Sequence, residues 1–204
     1  QMKQLLKAEG RKTYYSIAVS EAISSSYSNT EIDNCEFYGW SHAAVFFYTY
    51  KGKYCGNNYI HNNYFHHNQR FGLGYGVCID SARVIIEGNL FDWCRHGIAG
   101  TGRPGTSYEA RYNIVLEHFS EHAFDMHGGA DRKDGTNIAG NSIIIHHNTF
   151  KLLDQCAIVI RGIPLETAEI YNNLFYNPDK LKTIEQMGAI GNLKIYNNKY
   201  GIQK

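Results

Sequence analysis

The sequence has little proline, no long run of like charges and no long apolar stretch. Three of its 204 residues are proline, and its longest uninterrupted apolar run covers residues 43–48. A membrane helix needs roughly 20 apolar residues, so we expect no membrane insertion. The 20 basic residues nearly balance the 19 acidic ones, and no basic cluster exceeds a few residues. We therefore expect no nucleic acid among the partners.

Cysteine is also sparse: the chain has five, an odd number, and no two of them form a Cys-x-x-Cys pair. This pattern argues against a disulfide framework and against a zinc knuckle. We expect mostly free thiols that pack as small apolar side chains in the core. No metal ligands are assigned from the sequence, and calcium is the one cofactor left open.

What the sequence does contain is an internal repeat that reads apolar, two residues, polar, one residue, aromatic. Successive copies begin 25 to 31 residues apart, which is the length of one solenoid turn. The residue before the polar one is Asn or Gly in five of the seven copies, as a bend with positive φ requires. The copies are Ile32, Cys35 and Phe37; Ile60, Asn63 and Phe65; Ile86, Asn89 and Phe91; Ile114, Glu117 and Phe119; Ile145, Asn148 and Phe150; Ile170, Asn173 and Phe175; Ile195, Asn198 and Tyr200.

This repeat resembles the right-handed parallel β-helix of the pectate-lyase-like superfamily, in which an asparagine ladder lines a sharp turn between two sheets. The resemblance covers residues 32–201. It implies an all-β fold, a right-handed parallel β-helix solenoid of about seven coils. We expect one such domain over residues 1–204, either whole or a piece of a larger chain. Self-association would cover the open solenoid ends.

Strand alternation assigns faces to the strand that follows each aromatic residue. A small residue and an apolar one, such as Ala123 and Phe124, begin that strand, and the apolar one is taken as inward. His122, an odd number of residues from His127, is then expected inward or in the preceding bend, which weakens the alternative of a three-ligand metal site formed by His122, Asp125 and His127. Two outward rows result: Phe46, Cys78, Ala99, Asp125 and Val159 in one, and Tyr48, Asp80, Thr101, His127 and Arg161 in the other.

The segment from Phe124 to His127 resembles the Tyr-Gly-Phe/Ile-Asp-Pro-His-Asp signature of alginate C5-epimerases, which are β-helix enzymes. Phe124, Asp125 and His127 match the signature, whereas Met126 replaces the proline and Gly128 replaces the final aspartate. The two residues before Phe124 also differ from the Tyr-Gly of the signature. The resemblance implies that His127 removes the C5 proton of a uronate while a nearby basic residue neutralises the carboxylate.

These residue types fit β-elimination, which needs a cation for the carboxylate, a base that titrates near neutrality and a proton donor. Arg161 can bind a carboxylate in a bidentate way. His127 can act as the base, held in orientation by Asp125. Tyr108 or Tyr112 is expected to donate the proton to the leaving oxygen.

Further substrate contacts are expected from outward aromatic residues and from two long connections, residues 102–113 and 128–141. Insertions in a solenoid gather on one face, which is often the binding face. For Trp93, packing in the core or over its end is equally compatible with the sequence. The predicted substrate-binding residues are Tyr48, Phe46, Thr101, Arg103, Tyr108, Tyr112, Arg132 and Trp93.

Two other functions stay open at this point. Asp80 and Asp125 lie two strands apart, so their carboxyl groups can approach the roughly 6.5 to 9.5 Å separation of an inverting glycoside hydrolase. The third function is a carbohydrate-binding solenoid without catalysis. The expected partner of the lyase or epimerase is an acidic polysaccharide.

By size, repeat and composition, the chain is also similar to the β-helix domain of archaeal disaggregatases, which cut a uronate-containing cell-wall polysaccharide. That similarity implies an extracellular or cell-surface protein. Residues 1–12 contain no evident secretory signal, so an exported chain would be a mature or excised form.

Overall fold

The computed structural model describes residues 18–201, in which successive coils each add one strand to each of three parallel sheets. Sheet A contains β1 (Glu21–Ser25), β4 (Ala43–Tyr48), β7 (Tyr75–Asp80), β10 (His96–Gly100), β13 (Phe124–Met126), β16 (Ile158–Ile160) and β19 (Ile184–Gln186). Sheet B contains β2 (Glu31–Asp33), β5 (Cys55–His61), β8 (Ala82–Glu87), β11 (Ser107–Arg111), β14 (Ser142–His146), β17 (Thr167–Tyr171) and β20 (Leu193–Tyr196). Sheet C contains β3 (Glu36–Tyr38), β6 (Tyr64–His66), β9 (Leu90–Asp92), β12 (Ile114–Val115), β15 (Thr149–Phe150), β18 (Leu174–Phe175) and β21 (Lys199–Tyr200). The predicted right-handed parallel β-helix of about seven coils is confirmed.

Two short helices interrupt the coils in the described part of the chain. Helix α1 (Gly129–Arg132) lies in the connection from sheet A to sheet B of the fifth coil, and a 3-10 helix (Lys180–Lys182) precedes β19. Among residues 18–201, no helix is long and apolar enough to cross a membrane.

The repeat residues fill the interior in columns. Isoleucines pair in register from one sheet B strand to the next, and Ile60 and Ile86 are completely buried. Aromatic rings of sheet C stack with their centroids 5.0 to 5.2 Å apart, which is the spacing of favourable offset stacking. Each coil thus packs mainly on its two neighbours, as in other solenoids. The stacked rings are Phe37, Phe65 and Phe91, then Phe150, Phe175 and Tyr200.

An asparagine ladder lines the bend between sheets B and C. Asn148 Oδ1 accepts the backbone N–H and the side-chain amide of Asn113, each at 2.9 Å. The Asn148 amide donates in turn to Asn173 Oδ1 at 3.0 Å and to the Ala110 carbonyl at 2.9 Å. The buried amides therefore satisfy one another from coil to coil. The rungs are Asn63, Asn89, Asn113, Asn148, Asn173 and Asn198.

The fourth coil differs from the sequence prediction. Ala110 pairs with Ile86, and Val115 pairs with Phe91, so the copy of the repeat in this coil begins at Ala110. The predicted copy, which begins at Ile114, is therefore wrong by four residues. Both apolar signals of the repeat are weak here, because alanine replaces isoleucine and valine replaces the aromatic residue.

Phe124 of sheet A fills the space that the smaller Val115 leaves in the aromatic column. Its ring meets Phe91 edge-on at 6.0 Å and Phe150 edge-on at 5.0 Å, and it is completely buried. The column of aromatic rings therefore continues past the fourth coil, and Phe124, the residue just before Asp125, is anchored within it.

The cysteines agree with the sequence prediction of free thiols that lie mostly in the core. All five are free; Cys55, Cys78 and Cys94 are buried, Cys156 is partly exposed and Cys35 is exposed.

Candidate functional site

The outer face of sheet A carries a row of polar side chains. Parallel pairing aligns Tyr48 with Asp80. The ladder continues past the strand ends, because Thr101, His127 and Arg161 each donate their backbone N–H to the preceding coil at 2.9 Å. These side chains therefore lie at one level on successive strands, which is the placement that alternation predicts.

The beginning of these strands departs from regular alternation. The Ala123 carbonyl accepts the N–H groups of both Gly97 and Ile98, at 2.7 and 3.2 Å, which is the hydrogen-bond pattern of a β-bulge. Ala123 and Phe124 are consecutive, yet both pack in the core. His122 is consequently turned to the outer face, where its Nε2 meets Arg161. The expectation that His122 faces inward is wrong, whereas the alternative that it lies in the bend before β13 agrees with the structure.

Asp125 is the centre of the cluster that forms on this face. Its side chain has no exposed surface, although it points away from the core. Arg161 binds it in a bidentate way, with Nε 3.0 Å from Oδ1 and Nη2 2.9 Å from Oδ2. The remaining Arg161 nitrogen, Nη1, donates to Asp131 Oδ1 of α1 at 3.1 Å. One guanidinium thus lies between two carboxylates, and its charge is balanced by them.

Three histidines surround the same carboxylate. The Nε2 atom of His127 lies 2.8 Å from Asp125 Oδ2, and those of His96 and His122 lie 3.5 and 3.6 Å from it. The rings of His96 and His122 come from adjacent coils and stack at 4.6 Å. The Nε2 atoms of His96 and His127 are buried, but no aligned hydrogen bond reaches either one.

Hydrogen bonds define which ring nitrogens carry lone pairs. His96 Nδ1 lies 2.6 Å from the His122 carbonyl, which can only accept, so Nδ1 is the donor. Burial lowers the pKa of His96 well below its usual value, against the opposing charge of Asp125, so the ring is neutral and Nε2 holds a lone pair. Arg161 Nη2 donates to His122 Nε2 at 2.8 Å, which makes that nitrogen an acceptor as well.

The carboxylate and the guanidinium are both charged. Burial alone would raise the pKa of Asp125, but the neighbouring imidazoles of His122, His127 and His96 outweigh it and hold the pKa well below its usual value. Burial would lower the pKa of Arg161, but the charges of Asp125 and Asp131 raise it. The cluster is therefore a buried ion pair surrounded by imidazoles.

Sequence reasoning missed two members of this cluster, His96 and Asp131. A signal for His96 was present, because His96 and His122 both immediately precede a small residue followed by an apolar one. That shared position places them at the same level of neighbouring coils. No comparable signal marks Asp131, which lies in the connection after β13.

Two glycines allow the chain to leave sheet A beside the cluster. Gly102 has a φ of 72°, and a Cβ atom there would collide with the His127 carbonyl oxygen. A Cβ atom on Gly128 would collide in the same way with the Arg161 carbonyl oxygen. Glycine therefore permits the close approach of neighbouring coils that sets the level of His127 and Arg161.

One of the two predicted long connections exists. Residues 128–141 leave the sheet after His127 and contain α1, as expected of a long connection. Residues 102–113 instead contain β11, so the prediction of a second long loop is wrong.

Arg132 braces the long connection. Its Nη1 and Nη2 atoms donate to the carbonyls of Thr101 and Ile138, each at 3.0 Å, and its Nε donates to Asp134 at 2.7 Å. The side chain is 11% exposed. These contacts contradict the prediction that Arg132 binds substrate, because its donors are occupied by the protein itself.

Beside the cluster, other predicted contact residues line the same face. Thr101 Oγ1 donates to Asp80 Oδ1 at 2.6 Å, and Arg103 Nη1 donates to Asp80 Oδ2 at 2.7 Å. The rings of Phe46 and Tyr48 stack at 5.2 Å on the strand before. Polar groups and flat rings therefore lie next to one another on this face of sheet A.

Three predicted contact residues lie elsewhere. Tyr108 points into the core and is 2% exposed, and burial raises its pKa far above the usual value. Its predicted roles as proton donor and substrate contact are wrong, because a polysaccharide cannot reach it. Tyr112 lies at the bend between sheets B and C, where its ring is 5.2 Å from that of His147, so it is not placed to donate a proton at His127. Trp93 stacks on His118 at 4.3 Å, just after sheet C.

Three parallel seven-stranded sheets around a ladder-filled interior define a right-handed parallel β-helix. The chain belongs to the family described as the right-handed β-helix region, which it matches over residues 18–200. This family includes polysaccharide lyases and hydrolases. No curated protein and no solved structure gives a significant match to the chain.

Proposed function

We propose that the protein is an enzyme that cleaves a uronate-containing polysaccharide by β-elimination, with His127 as the base and Arg161 as the carboxylate-binding cation. The observation that carries the proposal is that His127 and Arg161 are strand neighbours on the outer face of sheet A and share the buried carboxylate of Asp125. Removal of a proton α to a carboxylate requires a base to take the proton and a cation to neutralise the carboxylate. An imidazole and a guanidinium at one level of the sheet supply both.

Asp125 is suited to position the base rather than to react itself. Its two oxygens are occupied by Arg161 and approached by the imidazoles, and its side chain is completely buried. A fixed carboxylate beside His127 stabilises the imidazolium that forms when the ring takes a proton. The His127 side chain is 26% exposed, so the ring can meet a substrate from the solvent side.

Arg161 can bind a substrate carboxylate by exchanging one partner. Its contact with Asp131 is at the edge of the cluster, where the Asp131 side chain is 32% exposed. A uronate carboxylate that replaces Asp131 at Nη1 would keep the guanidinium paired with Asp125 and would acidify the C5 proton. His127 then takes that proton, the bond from C4 to the glycosidic oxygen breaks, and the departing oxygen takes a proton from the imidazolium.

The proposed substrate sets the proposed location. A uronate-containing cell-wall polysaccharide, as implied by the similarity to disaggregatases, lies outside the cell, so we propose an extracellular or cell-surface site of action. The Asp80 and Asp125 pair supports hydrolysis poorly, because the buried and doubly paired Asp125 cannot activate a water molecule at the surface.

Product analysis tests the proposal. Incubation with a panel of acidic polysaccharides should release unsaturated uronates, measured as new ultraviolet absorbance. His127→Ala should abolish the signal and retain binding, whereas His61→Ala, on the outer face of sheet B, should leave the rate unchanged. Reducing ends without unsaturation would contradict elimination and would indicate hydrolysis. Polysaccharide binding without any new ends would indicate a carbohydrate-binding solenoid.

A further inference from the structure

Three lone pairs converge on one point beside Asp125. The Nε2 atoms of His96 and His122 lie 3.5 and 3.6 Å from Asp125 Oδ2, and these three side chains place their ligand atoms within 4.8 Å of one another. His96 is completely buried, and no hydrogen bond reaches its Nε2. A buried lone pair that faces a carboxylate oxygen is unfavourable unless a proton or a cation lies between them.

We propose that His96, His122 and Asp125 bind one divalent transition-metal ion, with zinc as the best-fitting one. Nitrogen and oxygen ligands about 2.0–2.1 Å from a tetrahedral zinc ion lie about 3.3–3.4 Å apart. The two observed separations from Asp125 Oδ2, 3.5 and 3.6 Å, are close to that value. Two imidazoles and a carboxylate are also the ligand set of many zinc sites with an open fourth position.

The surroundings of His96 have the form of an outer ligand shell. Its other ring nitrogen, Nδ1, donates to the His122 carbonyl at 2.6 Å, which fixes the ring and leaves Nε2 free to coordinate. Histidine ligands in metal sites are typically oriented in this way. Calcium fits less well, because it prefers six to eight oxygen ligands over imidazole nitrogens.

Arg161 is the competitor of the ion. Its Nη2 atom lies 2.8 Å from His122 Nε2 and 2.9 Å from Asp125 Oδ2, so it contacts two of the three ligand atoms. A guanidinium and a metal ion repel each other, so binding of the ion requires Nη2 to withdraw. Arg161 would retain Asp131 as its partner through Nη1. Its 21% exposed side chain closes the solvent side of the cluster, from which an ion would enter.

The inference goes beyond the proposed elimination and does not rest on it. It concerns binding, and it leaves His127 outside the ligand set although its Nε2 is 2.8 Å from Asp125 Oδ2. We therefore expect His127→Ala to keep one zinc per chain, with affinity lowered by about tenfold, as for the loss of an outer-shell partner.

Titration of the intact chain, first stripped with a chelator, tests the site. Calorimetry with zinc should show one equivalent bound, and cobalt should give the visible absorption of a tetrahedral site with nitrogen ligands. His96→Ala and His122→Ala should each weaken zinc binding by about 100-fold or more. The control His61→Ala should bind as the wild type does, and circular dichroism should show that each variant is folded. Calcium should give no response at one equivalent.

The Arg161→Met variant tests whether the guanidinium competes with the metal ion for the same ligands. Removing the competing cation should raise zinc affinity above that of the wild type. Failure of both the wild type and Arg161→Met to bind zinc or cobalt overturns the proposal, as does undiminished binding by His96→Ala. Binding by Arg161→Met alone also overturns it, because Arg161 would then be the permanent cation of the site.

The outcomes also separate this inference from the proposed function. If the protein binds zinc but yields no unsaturated product from any acidic polysaccharide, the metal site stands and the proposed elimination is wrong. If it yields unsaturated product but binds neither zinc nor cobalt, the elimination stands and the metal site is wrong.

Discussion

Phe124 of sheet A lies between the rings of Phe91 and Phe150, and so occupies the interior beside Val115, the sheet C residue that pairs with both. A side chain from one sheet thereby completes an aromatic column that otherwise belongs to another. The same residue precedes Asp125, so core packing and the position of the candidate site are joined at one point of the chain.

Replacing Phe124 with alanine should lower the free energy of unfolding by about 3–5 kcal/mol, the usual cost of deleting a buried phenylalanine ring. Urea denaturation measures this change. The control is Phe71→Ala, because Phe71 is 74% exposed and its loss should change stability by no more than about 0.5 kcal/mol. Equal effects of the two substitutions would contradict the role assigned to Phe124.

Much of the fold could be predicted because the repeat imposes the same physical demands on most coils. Asparagine at the bend satisfies buried backbone groups of the adjacent coil, and in most coils an aromatic ring of sheet C stacks on the next. The fourth coil could not be predicted in this way. Its ring is supplied by Phe124 from another sheet, so the local sequence around Val115 carries no aromatic signal.

The candidate site was predicted in part for a related reason. Alternation gives the faces of Asp125, His127 and Arg161 because the strand is regular from Phe124 onward. It fails for His122 because two consecutive residues turn inward just before that point. The pairing of Arg161 with Asp131 depends on the path of a long connection, and the periodicity of the repeat does not describe that path.

Asp131→Asn should strengthen the binding of an acidic polysaccharide several-fold if a uronate carboxylate displaces Asp131 from Arg161. The amide oxygen can still accept the Gly128 N–H, which Asp131 Oδ2 accepts at 3.0 Å, so the start of α1 should persist. Binding isotherms at low ionic strength measure the effect. The matched control is Asp134→Asn in the same connection, which pairs with Arg132 and should leave affinity unchanged. Weaker binding by Asp131→Asn would show that the substrate does not use this exchange.

Arg132→Ala should loosen the connection after β13 without unfolding the solenoid. The variant loses the charged hydrogen bonds to the carbonyls of Thr101 and Ile138. Each lost bond should lower the local stability of the connection by up to about 1.5–3 kcal/mol. Hydrogen exchange of amides 129–139 should accelerate, while amides of sheet B should stay protected. Unchanged exchange in this segment would contradict the bracing role.

The thiols should differ in reactivity with alkylating reagents at pH 8. Burial raises the pKa of Cys94 to about 12 and that of Cys156 to about 11, so little thiolate forms at either residue. Exposed Cys35 should react first in the folded protein, as measured by mass spectrometry after brief treatment with iodoacetamide. Raising the pH toward 11 should increase labelling of Cys156 before that of Cys94, because a raised pKa is titrated only at high pH. Rapid labelling of Cys94 at pH 8 would show that the core opens locally.

The departure from alternation just before Asp125 changes how many side chains one coil can present to a ligand. In a regular strand, outward positions occur every second residue, so a short strand offers two of them. With Ala123 and Phe124 both inward, the fifth coil places His122, Asp125 and His127 on the same face at intervals of three and two. A single insertion or deletion at the start of such a strand could therefore add or remove one outward functional position of that coil while the ladders of the other two sheets remain in register.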